Sequence, residues 1–133
     1  ILSDKSVYHS WIWHDYERIL SQINPNSHSF ESKEKILQRN GCPNSPLMET
    51  HFIKNKFFIE DNQILKNMKK IEHIPGYIVQ GRYDLICPPE NAFKLHEKWK
   101  KSNIKIINTA GHSSSDEGIT ENLFSALSEI TEF

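Results

Sequence analysis

An α/β fold built on a parallel strand pair is what this sequence predicts, and three observations predict it. Two short β-branched runs, around Tyr77-Ile78-Val79 and Ile104-Lys105-Ile106-Ile107, are each followed by a helical pattern. Strand, helix, strand, helix in that order implies parallel strands joined by a right-handed crossover. The residues before them are patterned almost entirely as helix, so the chain divides into a helical region, 1–73, and an α/β region, 74–133. Parallel sheets need several strands and cover on both faces, so the rest of the sheet is expected from sequence outside these 133 residues.

The elements follow in order. Lys5 to about Ser21 carries Tyr8, Trp11, Trp13, Tyr16, Ile19 and Leu20 on more than one face, which predicts a helix that is sandwiched or lines a pocket. Asn24-Pro25-Asn26-Ser27 breaks it, because proline removes a backbone donor and Asn and Ser supply turn chemistry. A short helix is expected over Glu31–Arg39, ended by Gly41-Cys42-Pro43-Asn44-Ser45-Pro46. Leu47–Phe58, with Phe52, Phe57 and Phe58, reads as helical turns, and Asp61 stands where it can cap a helix bearing Ile64, Leu65, Met68 and Ile71. Pro88-Pro89 opens the crossover helix with Ala92, Phe93, Leu95, His96 and Trp99. The last helix, about Glu117 to Glu132, aligns Ile119, Leu123, Phe124, Leu127 and Ile130 in one stripe.

Composition excludes several classes of partner. With 16 basic and 17 acidic residues the formal charge is −1, so no net field draws the chain to nucleic acid or anionic lipid. No stretch approaches the roughly 18 apolar residues that span a bilayer. Ile1-Leu2-Ser3-Asp4-Lys5 lacks the layout of a secretory signal, and a cytoplasmic location is expected. Cys42 and Cys87 are too far apart for a Cys-x-x-Cys pair and are expected as free thiols. No His-Glu-x-x-His string or Cys/His cluster occurs, so neither a metal nor an organic cofactor is expected. A hydrophobic content of 37% is low for a chain that buries its own core, and agrees with a piece of something larger.

Chemistry is expected at the strand ends. Gly81-Arg82-Tyr83-Asp84 and Ala110-Gly111-His112-Ser113 each follow a strand. In open parallel sheets functional groups gather there, because loops diverge and helix N-termini converge. Singly, an Asp after a strand is usually a turn residue and a lone His is usually structural. Together they can form an acid that fixes an imidazole tautomer and steadies the imidazolium formed when the ring takes a nucleophile's proton. Acid then His on adjacent strands is the order of an α/β-hydrolase triad, whose serine comes earlier in the chain.

The run Ile74-Pro75-Gly76-Tyr77-Ile78-Val79-Gln80-Gly81-Arg82-Tyr83-Asp84-Leu85-Ile86-Cys87-Pro88, followed by Asn91-Ala92 and Ala110-Gly111-His112-Ser113, resembles the proline iminopeptidases of the α/β-hydrolase superfamily. Met48-Glu49-Thr50-His51-Phe52 and Asp61-Asn62-Gln63-Ile64-Leu65 resemble that family's cap motif. The resemblance is dense from Glu49 to Gly118 and looser before it. It implies the carboxyl-terminal portion of the fold, with a helical cap over 1–73 and the last two strands and helices of the core over 74–133. It also implies that Asp84 and His112 are the acid and base of a Ser-His-Asp triad that releases N-terminal proline from peptides. Glu49 would then bind the protonated amine of that proline. The family's second amine-binding glutamate follows a Trp-x-x-Trp string; Trp11-Ile12-Trp13-His14-Asp15 departs from it, leaving Asp15 or His14 at that place. Trp11, Trp13, Phe52 and Phe58 are candidate walls for a proline ring. Cys87, near the acid, is either a small buried hydrophobe or a thiol that sensitises the site to thiol reagents.

No Gly-x-Ser-x-Gly elbow occurs in the 133 residues; Gly111-His112-Ser113-Ser114-Ser115 lacks the closing glycine. The chain alone is therefore expected to be inactive, with the remainder of its own hydrolase chain as its necessary partner. Two alternatives stand beside this: another α/β-hydrolase, of esterase or epoxide hydrolase type, and a non-catalytic fragment serving as an interaction module. The oligomeric state has no signature in the sequence.

Overall fold

The computed structural model describes residues 4–23 and 29–131. The expected break at Asn24–Ser27 and the Glu132 end of the last helix lie outside them. The fold is α/β, and the chain forms two compact units, one of Ile1–Ile19 with Asn24–Asp61 and one of Leu20–Ile23 with Asn62–Phe133.

The first unit is helical: α1 (Asp4–Leu20), α2 (Lys33–Leu37) and α3 (Ser45–Lys54), then a short 3-10 turn, Lys56–Phe58. α1 does not bury its aromatics. Ser10 and Asp15 are its buried residues, while Trp13 and Tyr16 are exposed. α2 is shorter than expected and starts where the Ser32 hydroxyl accepts from the Lys35 N–H. Its Ile36 is fully buried. After α3 the backbone turns left-handed, with φ of 50°, 54° and 57° at Lys56, Phe57 and Phe58. Each such residue costs about 1–2 kcal/mol without glycine. The offset is aromatic: Phe57 stacks on Phe52 with centroids 6.4 Å apart, and Phe58 meets both Phe52 (5.8 Å) and His51 (5.6 Å).

The second unit holds α4 (Gln63–Lys66), a 3-10 turn at Met68–Lys70, β1 (Gly76–Gly81), α5 (Pro89–Lys98), β2 (Ser102–Ile107) and α6 (Ile119–Thr131). Asp61 does not cap α4. Asn62 occupies the cap position with φ 59°, and no side-chain bond caps the helix. The single helix expected through Ile71 is divided at Asn67, whose side-chain amide donates to the Gln63 carbonyl at 2.7 Å. Of its apolar positions Met68 is buried, while Ile64 and Ile71 are exposed.

β1 and β2 pair in parallel, in register from Gly76 with Ser102 to Gly81 with Ile107. α5 packs on both strands and α6 on β1. Ile107, Ala110 and Ile119 form the buried cluster, with Val79 against it. Gly81 is required at the end of β1, because a Cβ there would overlap the carbonyl oxygens of Gly111 and Ala110. In α6 only the first member of the expected stripe, Ile119, is buried; Leu123, Phe124, Leu127 and Ile130 are exposed.

Candidate active site

The ends of the two strands are stitched together before any side chain is considered. Arg82 N–H donates to the Ile107 carbonyl (2.9 Å) and Tyr83 N–H to that of Ala110 (3.0 Å). These bonds bring the loop after β1 against the loop after β2. Asp84 is 7% exposed. Its Oδ1 accepts from the Ile86 N–H (3.0 Å) and the Cys87 N–H (2.7 Å), and its Oδ2 accepts from Gln80 Nε2 (3.2 Å). Facing these donors, His112 Nδ1 lies 3.2 Å from Oδ1 and 3.0 Å from Oδ2. Directed at the carboxylate, Nδ1 is the protonated nitrogen, which leaves Nε2 to take a proton. The imidazole is 40% exposed, so that nitrogen is open to a reacting group.

The loop bearing His112 has its own supports. His112 and Ser113 N–H both donate to the Ser21 carbonyl, at 3.1 and 3.0 Å, and Gly111 N–H donates to Asp116 Oδ2 at 2.7 Å. Cys87 is exposed and unbridged, not a small buried hydrophobe. Partial desolvation, then the Asp84 charge, raises its thiol above the usual cysteine range. Gln80, Ser21 and Asp116 escaped the sequence reasoning. Gln80 has a visible cue in hindsight, a polar residue closing an apolar strand just before the acid loop. Ser21 acts through its backbone, which no side-chain pattern reveals.

In the first unit Glu49 and Asp15 have different partners. Glu49, half-buried on α3, accepts a short hydrogen bond from Trp13 Nε1. Asp15 is 8% exposed and its Oδ1 pairs with Arg39 Nη1 at 2.9 Å. Arg39 also bonds Glu31 through Nη2 (2.9 Å) and lies 4.7 Å over the Trp11 ring. The bond from Asp15 raises the Arg39 pKa further. Asp15 Oδ2 is buried with no hydrogen-bond partner among the described residues. It borders a cavity of about 360 Å³ lined also by Trp11, His14, Arg18, Glu31 and Arg39. His14 lies edge-on to Trp11 at 5.6 Å and 3.5 Å from the Ser45 hydroxyl. Of the candidate ring walls, Trp11 is half-buried and Trp13, Phe52 and Phe58 are exposed. Among the described residues no helix is long and apolar enough to cross a membrane.

A proline iminopeptidase of Arabidopsis thaliana is 37% identical over 112 residues, 84% of this chain. One from Xylella fastidiosa is 48% identical over 67 residues, half of the chain. One from Neisseria gonorrhoeae is 36% identical over 84 residues, 62% of the chain. By sequence, the chain is similar to one stretch of each of several proline iminopeptidases. It spans only 29%, 21% and 27% of the lengths of those three iminopeptidases. No family model matches it.

Proposed function

We propose that this chain is the carboxyl-terminal part of an α/β-hydrolase, a serine aminopeptidase that releases N-terminal proline from peptides. The observation that carries this is the Asp84–His112 bond at the ends of adjacent parallel strands, in a chain whose relatives bear the iminopeptidase name. Residues 1–73 are the cap and 74–133 the end of the core. A serine from sequence outside the chain attacks the prolyl carbonyl. His112 Nε2 takes its proton and returns it to the leaving amine, while Asp84 holds Nδ1–H and steadies the imidazolium.

Glu49 binds the prolyl ammonium, with Trp13 fixing the carboxylate. Asp15 is the weaker second anchor. Arg39 offsets its charge, and only Oδ2 is left to accept. The two free thiols fit a cytoplasmic setting, and the chemistry needs no organic cofactor.

Kinetics on the intact polypeptide test this, with a prolyl arylamide and a simple ester as substrates. His112→Ala should lower kcat on both by about 10⁶-fold. Glu49→Gln should lower kcat/KM by about 10²-fold for the arylamide and little for the ester, because only the former presents an ammonium. Equal losses would favour an esterase-type hydrolase. An inert intact protein would leave the non-catalytic interaction module.

A further inference from the structure

We propose that Asp84, Cys87 and His112 form a binding site for a zinc-type divalent cation, and that an ion held there switches the imidazole off as a base. A carboxylate oxygen, the thiol sulfur and an imidazole nitrogen of these residues all lie within 4.8 Å of one another. Oxygen, sulfur and nitrogen donors together suit a borderline cation better than magnesium or calcium, which favour oxygen alone.

The spacing is close to what the ion requires. Tetrahedral zinc, with bonds of about 2.0–2.3 Å, places N and O donors about 3.3 Å apart and sulfur about 3.6 Å from either. The Asp84–Nδ1 separations of 3.0 and 3.2 Å already meet the first condition. From the carboxylate oxygen and imidazole nitrogen of the cluster, the sulfur has at most about 1.2 Å to move inward, within reach of a Cα–Cβ rotation. A backbone N–H and the Gln80 side chain hold the rest. The Cys87 N–H bonds Asp84 Oδ1, and Gln80 Nε2 bonds both Asp84 Oδ2 and the Cys87 carbonyl. Cys87 and His112 are exposed, which gives an ion a route in and a water a fourth coordination place.

Charge and protons balance. One thiolate and one carboxylate neutralise the dication, and the Cys87 thiol proton is released to solvent. With the metal on Nδ1, the neutral ring carries its proton on Nε2, so it loses no net proton. It then has no lone pair with which to accept one from a nucleophile. The inhibitory consequence rests on the proposed peptidase function; the binding does not.

Co²⁺ and Zn²⁺ titrations of the intact polypeptide separate the two. Wild-type protein should bind one Co²⁺ with a thiolate-to-cobalt absorption band that Zn²⁺ displaces. Cys87→Ser should lose the band, and Cys42→Ser should keep it. Cys87→Ser should also raise the Zn²⁺ concentration for half-inhibition, relative to its own uninhibited rate, by about tenfold or more. An absent band, a band that survives Cys87→Ser, or equal Zn²⁺ inhibition in both proteins would overturn the site. A Cys87-dependent band in a protein without prolyl activity would uphold the cation site and sink the peptidase function.

Discussion

Asp84 acts on two neighbours at once, and its charge makes the two effects separable. Toward His112 it is an acceptor that fixes Nδ1–H; toward Cys87 it is a like charge that opposes thiolate formation. Only the thiolate is alkylated, so iodoacetamide reads the Cys87 pKa directly. Asp84→Asn removes the charge and leaves the desolvation. The midpoint of the pH–rate curve should therefore move down, and modification at neutral pH should speed up, in a Cys42→Ser background. A midpoint unmoved or displaced upward would show that Asp84 does not hold the thiol. At this scale, the sequence carried the placement of Asp84 and His112 after two adjacent strands, where a hydrogen bond joins them. It did not carry the state of Asp15. Arg39 lies 24 residues away, and nothing in the intervening string says that its guanidinium returns to α1.

Elements decide how tightly that pair is held. β1 and β2 stop at Gly81 and Ile107, and the following loops touch where Gly81 lacks a side chain. Gly81→Ala would push a methyl group into the carbonyls of Ala110 and Gly111, which are backbone and cannot rotate away. Overpacking of this kind costs about 1–3 kcal/mol. The displacement falls on the residue before His112, and a 1 Å shift of a catalytic group costs about 10²-fold in rate. Urea unfolding and kcat of the intact protein should therefore both fall; wild-type values for both would mean the loops yield freely. The βαβα order was legible because periods of two and of 3.6 differ plainly over these lengths. The left-handed turn at Lys56–Phe58 was not, since no glycine or Asn-Gly signal marks it and it rests on ring contacts back to His51 and Phe52. The break at Asn67 was hidden for a similar reason: Ile64, Leu65, Met68 and Ile71 keep helical spacing across it, while the Asn67 side chain bonds back to Gln63.

At the scale of the molecule, surface and sheet together bear on where the proposed nucleophile would lie. Among the described residues each strand has one neighbour, so each leaves an edge of unpaired backbone groups. α6 exposes Leu123, Phe124, Leu127 and Ile130 in the stripe that the sequence marked for burial. Such edges and stripes are covered in stable parallel folds, and covering them requires more strands than two. On the proposed function, further strands of the same sheet would bring the serine elbow, because in that topology the nucleophile precedes acid and base and sits on a strand of the same sheet. One experiment reads both consequences. A fluorophosphonate probe, which reacts only with an activated serine, should label the intact polypeptide at a serine outside residues 1–133, and His112→Ala should abolish the labelling. The 133-residue chain expressed alone should remain unlabelled and should self-associate as its concentration rises, since its edges and its α6 stripe then find only copies of themselves. Labelling at Ser113, Ser114 or Ser115 would overturn the proposal that the nucleophile comes from outside, and would make the loop after β2 a source of both base and nucleophile.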